Sequence, residues 1–181
     1  AFAAMLDLDD PESLTKKLVE KIRADNGIFN AGIFGMKFTY DLLHRYGYDD
    51  VIEHWLTQDS EISFRQMLSS GSKAMAELFG GTNYSYNHAM FTSFVQWYFE
   101  ALGGIQIAQD AIGFNKIMCK PYFSCELDHC DARVETVHGT IESSWKRING
   151  KIEWQLSVPE AIECILPEER SDATLHLTRT K

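Results

Sequence analysis

Apolar residues along the first hundred positions recur at helical spacing, and after Gly103-Gly104 they recur at every second residue. Residues 1–6 are helical in composition. Asp9-Asp10-Pro11-Glu12-Ser13 restarts a helix with acidic residues and a proline in its first turn. Leu14, Leu18, Val19 and Ile22 form its apolar stripe, Lys16, Lys17, Lys21 and Arg23 lie outside it, and Asn26-Gly27 ends it. Residues 27–35 are apolar and punctuated by glycine, which predicts a tight turn or a close backbone approach. A phosphate cradle is set aside there, because both the Walker lysine and the Rossmann spacing are missing. Residues 36–46 form the next helix, with Phe38, Leu42, Leu43 and Tyr46 on its buried face and Gly47 as its stop. Asp49 or Asp50 caps a helix over residues 51–56, and residues 63–68 make another. The short connections imply antiparallel helical hairpins.

Residues 70–105 organise the chain. Over 71–79 the pattern alternates, so an extended segment puts Met75, Glu77 and Phe79 on one face and Ala74, Ala76 and Leu78 on the other. A carboxylate between two large apolar side chains is either at a surface edge or held for a purpose, since burying it unpaired costs several kcal/mol or more. Gly80-Gly81 permits a turn, a polar cluster runs from Thr82 to Asn87, and Ser85 or Asn87 is a credible N-cap for a helix beginning near His88. In the first helical turn the imidazole stays neutral, able to donate and accept hydrogen bonds to sugar hydroxyls. A histidine that merely caps or packs is the alternative. The helix over 88–102 carries one narrow polar stripe, Thr92, Ser93, Gln96 and Glu100, so its other sides are expected to be covered by helices.

Beyond it, residues 111–121 form a strand around Ile112, Phe114, Ile117 and Met118, and residues 131–137 alternate Ala132, Val134 and Thr136 against Arg133, Glu135 and Val137. His138-Gly139 turns into a strand over 140–147 carrying Ile141 and Trp145. Asn149-Gly150 is the strongest hairpin signal in the chain. It leads into residues 151–158, where Ile152, Trp154, Leu156 and Val158 alternate with Glu153, Gln155 and Ser157. Strands over 161–166 and 173–178 complete about six short antiparallel strands, a small β-sandwich. The expected class is α+β: a helical segment over residues 1–105 followed by an antiparallel sandwich over 106–181.

Composition narrows the partners. A chain of 181 residues with 45% hydrophobic content can build real cores. A net charge of −9 and a pI near 5.1 argue against nucleic acid, and scattered Lys and Arg argue against an anionic membrane. The longest apolar helix runs short of the roughly 20 residues a membrane span needs. The cysteines, Cys119, Cys125, Cys130 and Cys164, contain no CxxC and read as buried free thiols. Cys125, His129 and Cys130 offer only part of a metal site, so neither metal nor cofactor is expected. The chain opens inside a helix, which reads as a fragment and leaves the compartment, cytoplasm or bacterial periplasm, open.

GSKAMAELFGG (71–81), SYNHAMFTSFVQWYFEALGGI (85–105) and GFNKIMCKP (113–121) together resemble the C-terminal part of bacterial α-L-rhamnosidases. These are inverting glycoside hydrolases with a six-hairpin (α/α) toroid followed by a β-sandwich. Weaker likeness runs through most of the chain, while Glu77, Asn87-His88 and the helix around Trp97-Tyr98 form its specific part. Ala76 stands where that family has a tryptophan, Leu78 where it has a basic residue and Phe79 where it has a further aromatic. The resemblance implies that Glu77 is the general base, that His88 and Asn87 bind the sugar, and that Tyr84 and Asn83, with Thr82, add polar contacts to the ring. Residues 27–35 would lie near the same site.

Inversion needs two carboxyls about 6.5–9.5 Å apart, one protonated and one ionised. The family's general acid lies upstream of the part matched here, and Asp41, Asp49 and Asp50 read as cap and surface residues. The expected activity is therefore cleavage of terminal α-L-rhamnosyl residues by a longer protein, with this chain inactive alone, having about two and a half helical hairpins where a toroid closes with six. One alternative is a non-catalytic carbohydrate-binding or interaction module using Trp, Tyr and His. Another is a structural piece whose open helical surface forms a homodimer. Trp55, Trp97, Trp145 and Trp154 read mainly as core residues.

Overall fold

Asp10 starts helix α2 (Pro11–Ala24), its carboxylate accepting the Ser13 N–H at 2.8 Å while Pro11 fills the first position, where no N–H is needed. A short helix α1 (Phe2–Met5) precedes it. Asn26 and Gly27 take positive φ angles of 57° and 77°, and the Gly27 N–H returns to the Ile22 carbonyl at 2.8 Å, closing α2. A side chain at Gly27 would meet the exposed His54 ring at 2.4 Å, which can swing aside, so it is the positive φ that favours glycine there. The computed structural model describes residues 1–29, 31–69, 71, 73–79, 85–168 and 171–181, which divide into two units, Ala1–Trp97 and Tyr98–Lys181.

In the first unit, α3 (Ile33–Arg45) begins earlier than the pattern predicts, because the Gly32 carbonyl already accepts the Gly35 and Met36 N–H groups. Helix α4 (Asp49–Thr57) has Tyr48 at its N-cap. Neither Asp49 nor Asp50 caps it, since both already lie inside the first turn. Ser63 precedes α5 (Phe64–Ser69) and accepts the Gln66 N–H at 3.1 Å. Trp55, fully buried, is the centre of the packing. Phe29 stacks on it at 5.3 Å, Phe64 and Phe79 meet it edge-on at 6.0 and 5.5 Å, and its indole N–H donates to Tyr40 Oη at 3.2 Å. Burying one such ring stabilises the unit by about 3 kcal/mol.

The apolar run after His88 is helical but not uniform: a 3₁₀ turn at Ala89–Ser93, α6 (Phe94–Trp97) and a π turn at Tyr98–Leu102. Thr92 Oγ1 donates back to the Ala89 carbonyl, which suits the tighter first turn. The Gly103 N–H reaches the Tyr98 carbonyl at 2.9 Å, the i→i+5 bond of the wider last one. Met90, Val95, Tyr98 and Phe99 remain 40–48% exposed, so the expected cover on all sides of the polar stripe is not supplied.

The second unit holds two sheets. β1 (Ile105–Ile107), β2 (Lys116–Cys119) and β6 (Glu163–Ile165) form one, in the order β1-β2-β6. β3 (His129–Thr136), β4 (Gly139–Ile148), β5 (Lys151–Pro159) and β7 (Ala173–Thr180) form the other, in the order β3-β4-β5-β7. The α+β class stands, with the sandwich mixed and not wholly antiparallel: β2–β6 and β5–β7 pair in parallel. After β5 the chain crosses to the other sheet as β6 and returns, which lets β7 enter in the direction of β5. Residues 111–115 are not strand. Gly113 turns with φ 62°, and the Ile112 N–H bonds Asn115 Oδ1 at 2.9 Å, leaving Ile112 85% exposed.

Asn149 and Gly150 both have positive φ, 51° and 79°, as the tight β4–β5 hairpin demands. It fixes the register Trp145↔Trp154, which sends Ile141, Trp145, Ile152, Trp154, Leu156 and Val158 to one buried face. Phe123 meets Trp145 at 5.5 Å and Trp154 at 6.3 Å. Both indole N–H groups are satisfied, Trp145 by the Leu102 carbonyl at 2.8 Å and Trp154 by Ser143 Oγ at 3.0 Å. No helix among the described residues is long and apolar enough to cross a membrane.

Candidate sugar-binding site

Two short segments of the first unit meet through their backbones. The Glu77 N–H donates to the Ser85 carbonyl at 3.1 Å, and the His88 N–H donates to the Met75 carbonyl at 3.1 Å. Between these bonds one residue, Ala76, faces two, Tyr86 and Asn87. That is the residue count of a β-bulge, which turns side chains out of the regular alternation. The expected extended segment is accordingly irregular: residues 73–79 bend and join neither sheet. Exposure follows the bend, with Ala76 at 2%, Glu77 and His88 part-buried, and Tyr86 at 51%.

Aromatic packing holds both segments in place. Phe79, two residues after Glu77, touches Phe64 and Phe91 at 5.0 Å each, and Phe91 lies three residues after His88. A ring from each segment is thus set in the cluster around Trp55, which fixes Glu77 and His88 relative to each other.

His88 is the N-cap residue of the 3₁₀ turn, with φ −109° and ψ 71°, and its carbonyl accepts the Phe91 N–H at 3.1 Å. This corrects the expectation that it lies in the first turn behind a Ser85 or Asn87 cap. Ser85 Oγ accepts the Asn87 N–H at 3.4 Å, a local turn that leaves no side-chain cap on the helix. The His88 Nδ1 atom is buried and has no hydrogen-bond partner among the described residues, and the same holds for Ser93 Oγ. Such atoms cost about 1–3 kcal/mol each and call for a partner from outside the described chain.

Of the residues expected at the site, Glu77, Asn87 and His88 come onto neighbouring backbone, while Asn83 and Tyr84 lie outside the described residues, as do Gly80-Gly81 and Thr82. Tyr86, an exposed aromatic beside Asn87, joins them, and its signal was its place in the polar cluster. Asp49 is a further addition. Only 7% exposed, it receives the Trp97 indole N–H at 2.7 Å and lies 2.7 Å from His44 Nδ1, tying α6 to α3 and α4. It is neither a cap nor a surface residue. Asp41 pairs with Lys37, and Asp50 with Arg23 at 3.0 Å, so both read as surface ion pairs.

A cleft of about 650 Å³ lined by Arg23, Asn26, Gly27, Asp50, Val51, His54 and Gln58 takes in Gly27 from the stretch expected near the site, but none of Glu77, Asn87 and His88. No group of three or more potential metal ligands occurs among the described residues. All four tryptophans are 0–4% exposed, so none offers a sugar platform.

Two family models match successive stretches of the chain. Residues 2–102 match the family model described as the bacterial alpha-L-rhamnosidase 6 hairpin glycosidase domain, and residues 104–179 match the bacterial alpha-L-rhamnosidase C-terminal domain. An alpha-L-rhamnosidase of Formosa agariphila is 28% identical over 161 residues, 82% of this chain. The chain spans 17% of that relative's length. The structure of an alpha-L-rhamnosidase from Dictyoglumus thermophilum superposes with a TM-score of 0.76 at 27% identity, over 87% of this chain and 18% of that one. An alpha-L-rhamnosidase from Aspergillus terreus has the same fold, with a TM-score of 0.79 at 21% identity, over 91% of this chain and 20% of that one.

Proposed function

The chain belongs to the bacterial α-L-rhamnosidase family, and from that premise we propose that it contributes the base side of a glycoside hydrolase site acting on terminal α-L-rhamnosyl residues. Glu77, ionised, takes a proton from water as that water attacks the anomeric carbon from the face opposite the leaving oxygen, giving inversion. His88 and Asn87 hold ring hydroxyls, and Asn83 and Tyr84 add polar contacts to the sugar. The acid that protonates the leaving oxygen comes from outside these 181 residues.

The observation that carries this reading is the bulged backbone pair, in which one bond runs from Glu77 and the other from His88. It brings a carboxylate and a histidine whose buried Nδ1 has no partner among the described residues onto adjacent segments. With no second carboxyl in its family role, the chain alone forfeits general-acid catalysis, worth about 10²–10⁴-fold, along with part of the sugar site.

The test is an aryl α-L-rhamnoside assay of the 181-residue chain, and of a protein in which this chain follows the remaining hairpins of the toroid, each as wild type and as Glu77→Gln. Activity is expected only in the longer wild-type protein. Undiminished activity with Gln at 77 overturns the base assignment. Tight binding of L-rhamnose by the isolated chain in calorimetry overturns the divided site and favours a binding module.

A further inference from the structure

The cleft of about 650 Å³ in the first unit opens between the end of α2 and the length of α4, and takes in none of Glu77, Asn87 and His88. Its volume lies within the range of about 300–1,000 Å³ in which proteins hold small ligands. Arg23, in the last turn of α2, and Asn26, in the stop that follows, make one wall. Asp50 and His54 on successive turns of α4, and Gln58 at its C-cap, make the other. Two contacts join the walls. The Arg23 guanidinium donates to Asp50 Oδ2 at 3.0 Å, and Gln58 Nε2 donates to the Gly27 carbonyl at 3.4 Å.

The hydrogen-bonding groups left over select the ligand. After its bond to Asp50 the Arg23 guanidinium keeps further N–H donors, Asp50 keeps Oδ1 as an acceptor, and Gln58 keeps Oε1. The Asn26 amide and the His54 imidazole have no side-chain partner among the described residues, and each can donate and accept. A phosphate or carboxylate uses donors only and an ammonium uses acceptors only, whereas a sugar hydroxyl donates and accepts at once. The charges of Arg23 and Asp50 offset each other, and a net charge of −9 on the chain disfavours an anion further.

We propose that this cleft is a second saccharide site, in which Arg23, Asn26, Asp50, His54 and Gln58 hold the hydroxyls of a neutral pyranose that is not the one being cleaved. The choice of a sugar over other neutral polar ligands rests on the glycoside hydrolase reading of the chain. The bonds form at an open surface where water competes for the same groups, so the affinity is millimolar.

The test titrates the isotope-labelled 181-residue chain separately with L-rhamnose, D-glucose, sodium phosphate and N-acetylglycinamide, a neutral peptide mimic, and follows the backbone N–H signals by NMR. At least one of the two sugars is expected to shift the signals of residues 23–27 and 50–58 along a saturating curve with a millimolar midpoint. His54→Ala and Gln58→Ala should each raise that midpoint about fivefold, the worth of one hydrogen bond, and Glu77→Gln should leave it unchanged. His54 is exposed and Gln58 follows the last residue of α4, so neither substitution touches the core. The proposal is overturned if neither sugar saturates, if the midpoint is the same in both cleft variants, if the shifts are confined to residues 75–88, or if phosphate or N-acetylglycinamide saturates the cleft and the sugars do not. The two readings fail separately: an unresponsive cleft leaves the assignment of Glu77 standing, and undiminished rhamnosidase activity of Glu77→Gln does not move the cleft signals.

Discussion

The Trp97 indole donates to Asp49 Oδ1 at 2.7 Å across 48 residues of sequence, and His44 Nδ1 meets the same oxygen at 2.7 Å. The carboxylate is nearly buried, so its contacts are little screened. Asp49 thereby anchors α6, and through it the turn that carries His88. Asp49→Ala is expected to destabilise the chain by about 2–4 kcal/mol in urea denaturation, and Asp49→Asn, which keeps an acceptor for the indole, by less. A loss under about 0.5 kcal/mol in the alanine variant would show that the anchor carries no weight.

Gly104 has φ +69°, and an added Cβ would lie 2.3 Å from the Pro121 backbone nitrogen, which has no flexible end to move aside. The approach is held by the Lys120 N–H, bonded to the Gly104 carbonyl at 2.8 Å. Gly104→Ala is expected to cost more than about 2 kcal/mol, combining conformational strain with a clash. Gly150→Ala, at φ +79° with nothing within 4 Å, carries strain alone and is expected to cost about 1 kcal/mol. Thermal midpoints of the two variants, compared side by side, separate the contributions.

Much of this architecture is legible in the residues, and the failures have physical causes. The alternation around Trp145 and Trp154 predicts its buried face because the side-chain period of a strand is independent of what pairs with it. Asn149-Gly150 carries its turn locally, as do Asp10-Pro11 at the start of α2. The partners of β7 and β6 are not local, and nothing in residues 161–178 distinguishes a parallel return from an antiparallel one. β1 is only three residues long, too short to display a period. The helical stripe over 89–102 survives because a tight turn and a wide turn average to about 3.6 residues per turn, which also hides both. Glu77 and His88 are recognisable by type and by their places around a glycine turn. The bulge that joins their segments, and the buried role of an aspartate resembling a cap, depend on contacts between distant parts of the chain.

His88 Nδ1 has no partner among the described residues, so removing the imidazole breaks no hydrogen bond found at that atom. If the ring serves a sugar hydroxyl, His88→Ala in the protein with the complete toroid should lower kcat/KM by about 10–100-fold, the worth of a hydrogen bond in a desolvated site. The folding free energy of the 181-residue chain should move by less than about 1 kcal/mol. Unchanged kinetics together with a large loss of stability would make His88 a packing residue.

Cys164 and Cys130 are both half-buried, yet their surroundings act in opposite directions. The Cys119 S–H and Arg179 lower the Cys164 thiol, whereas burial and the Asp131 carboxylate raise Cys130. Iodoacetamide reacts with the thiolate, so at neutral pH Cys164 should be alkylated faster than Cys130. As the pH rises, Cys164 reaches its plateau first. Cys130 then gains, because the thiolate of the weaker acid is the stronger nucleophile, and the rate ratio falls. Cys119→Ala removes the donor and should move the Cys164 midpoint upward. Isotope-coded alkylation followed from about pH 6 to pH 10 measures both curves, and faster labelling of Cys130 at neutral pH would contradict the opposed directions of the two thiols.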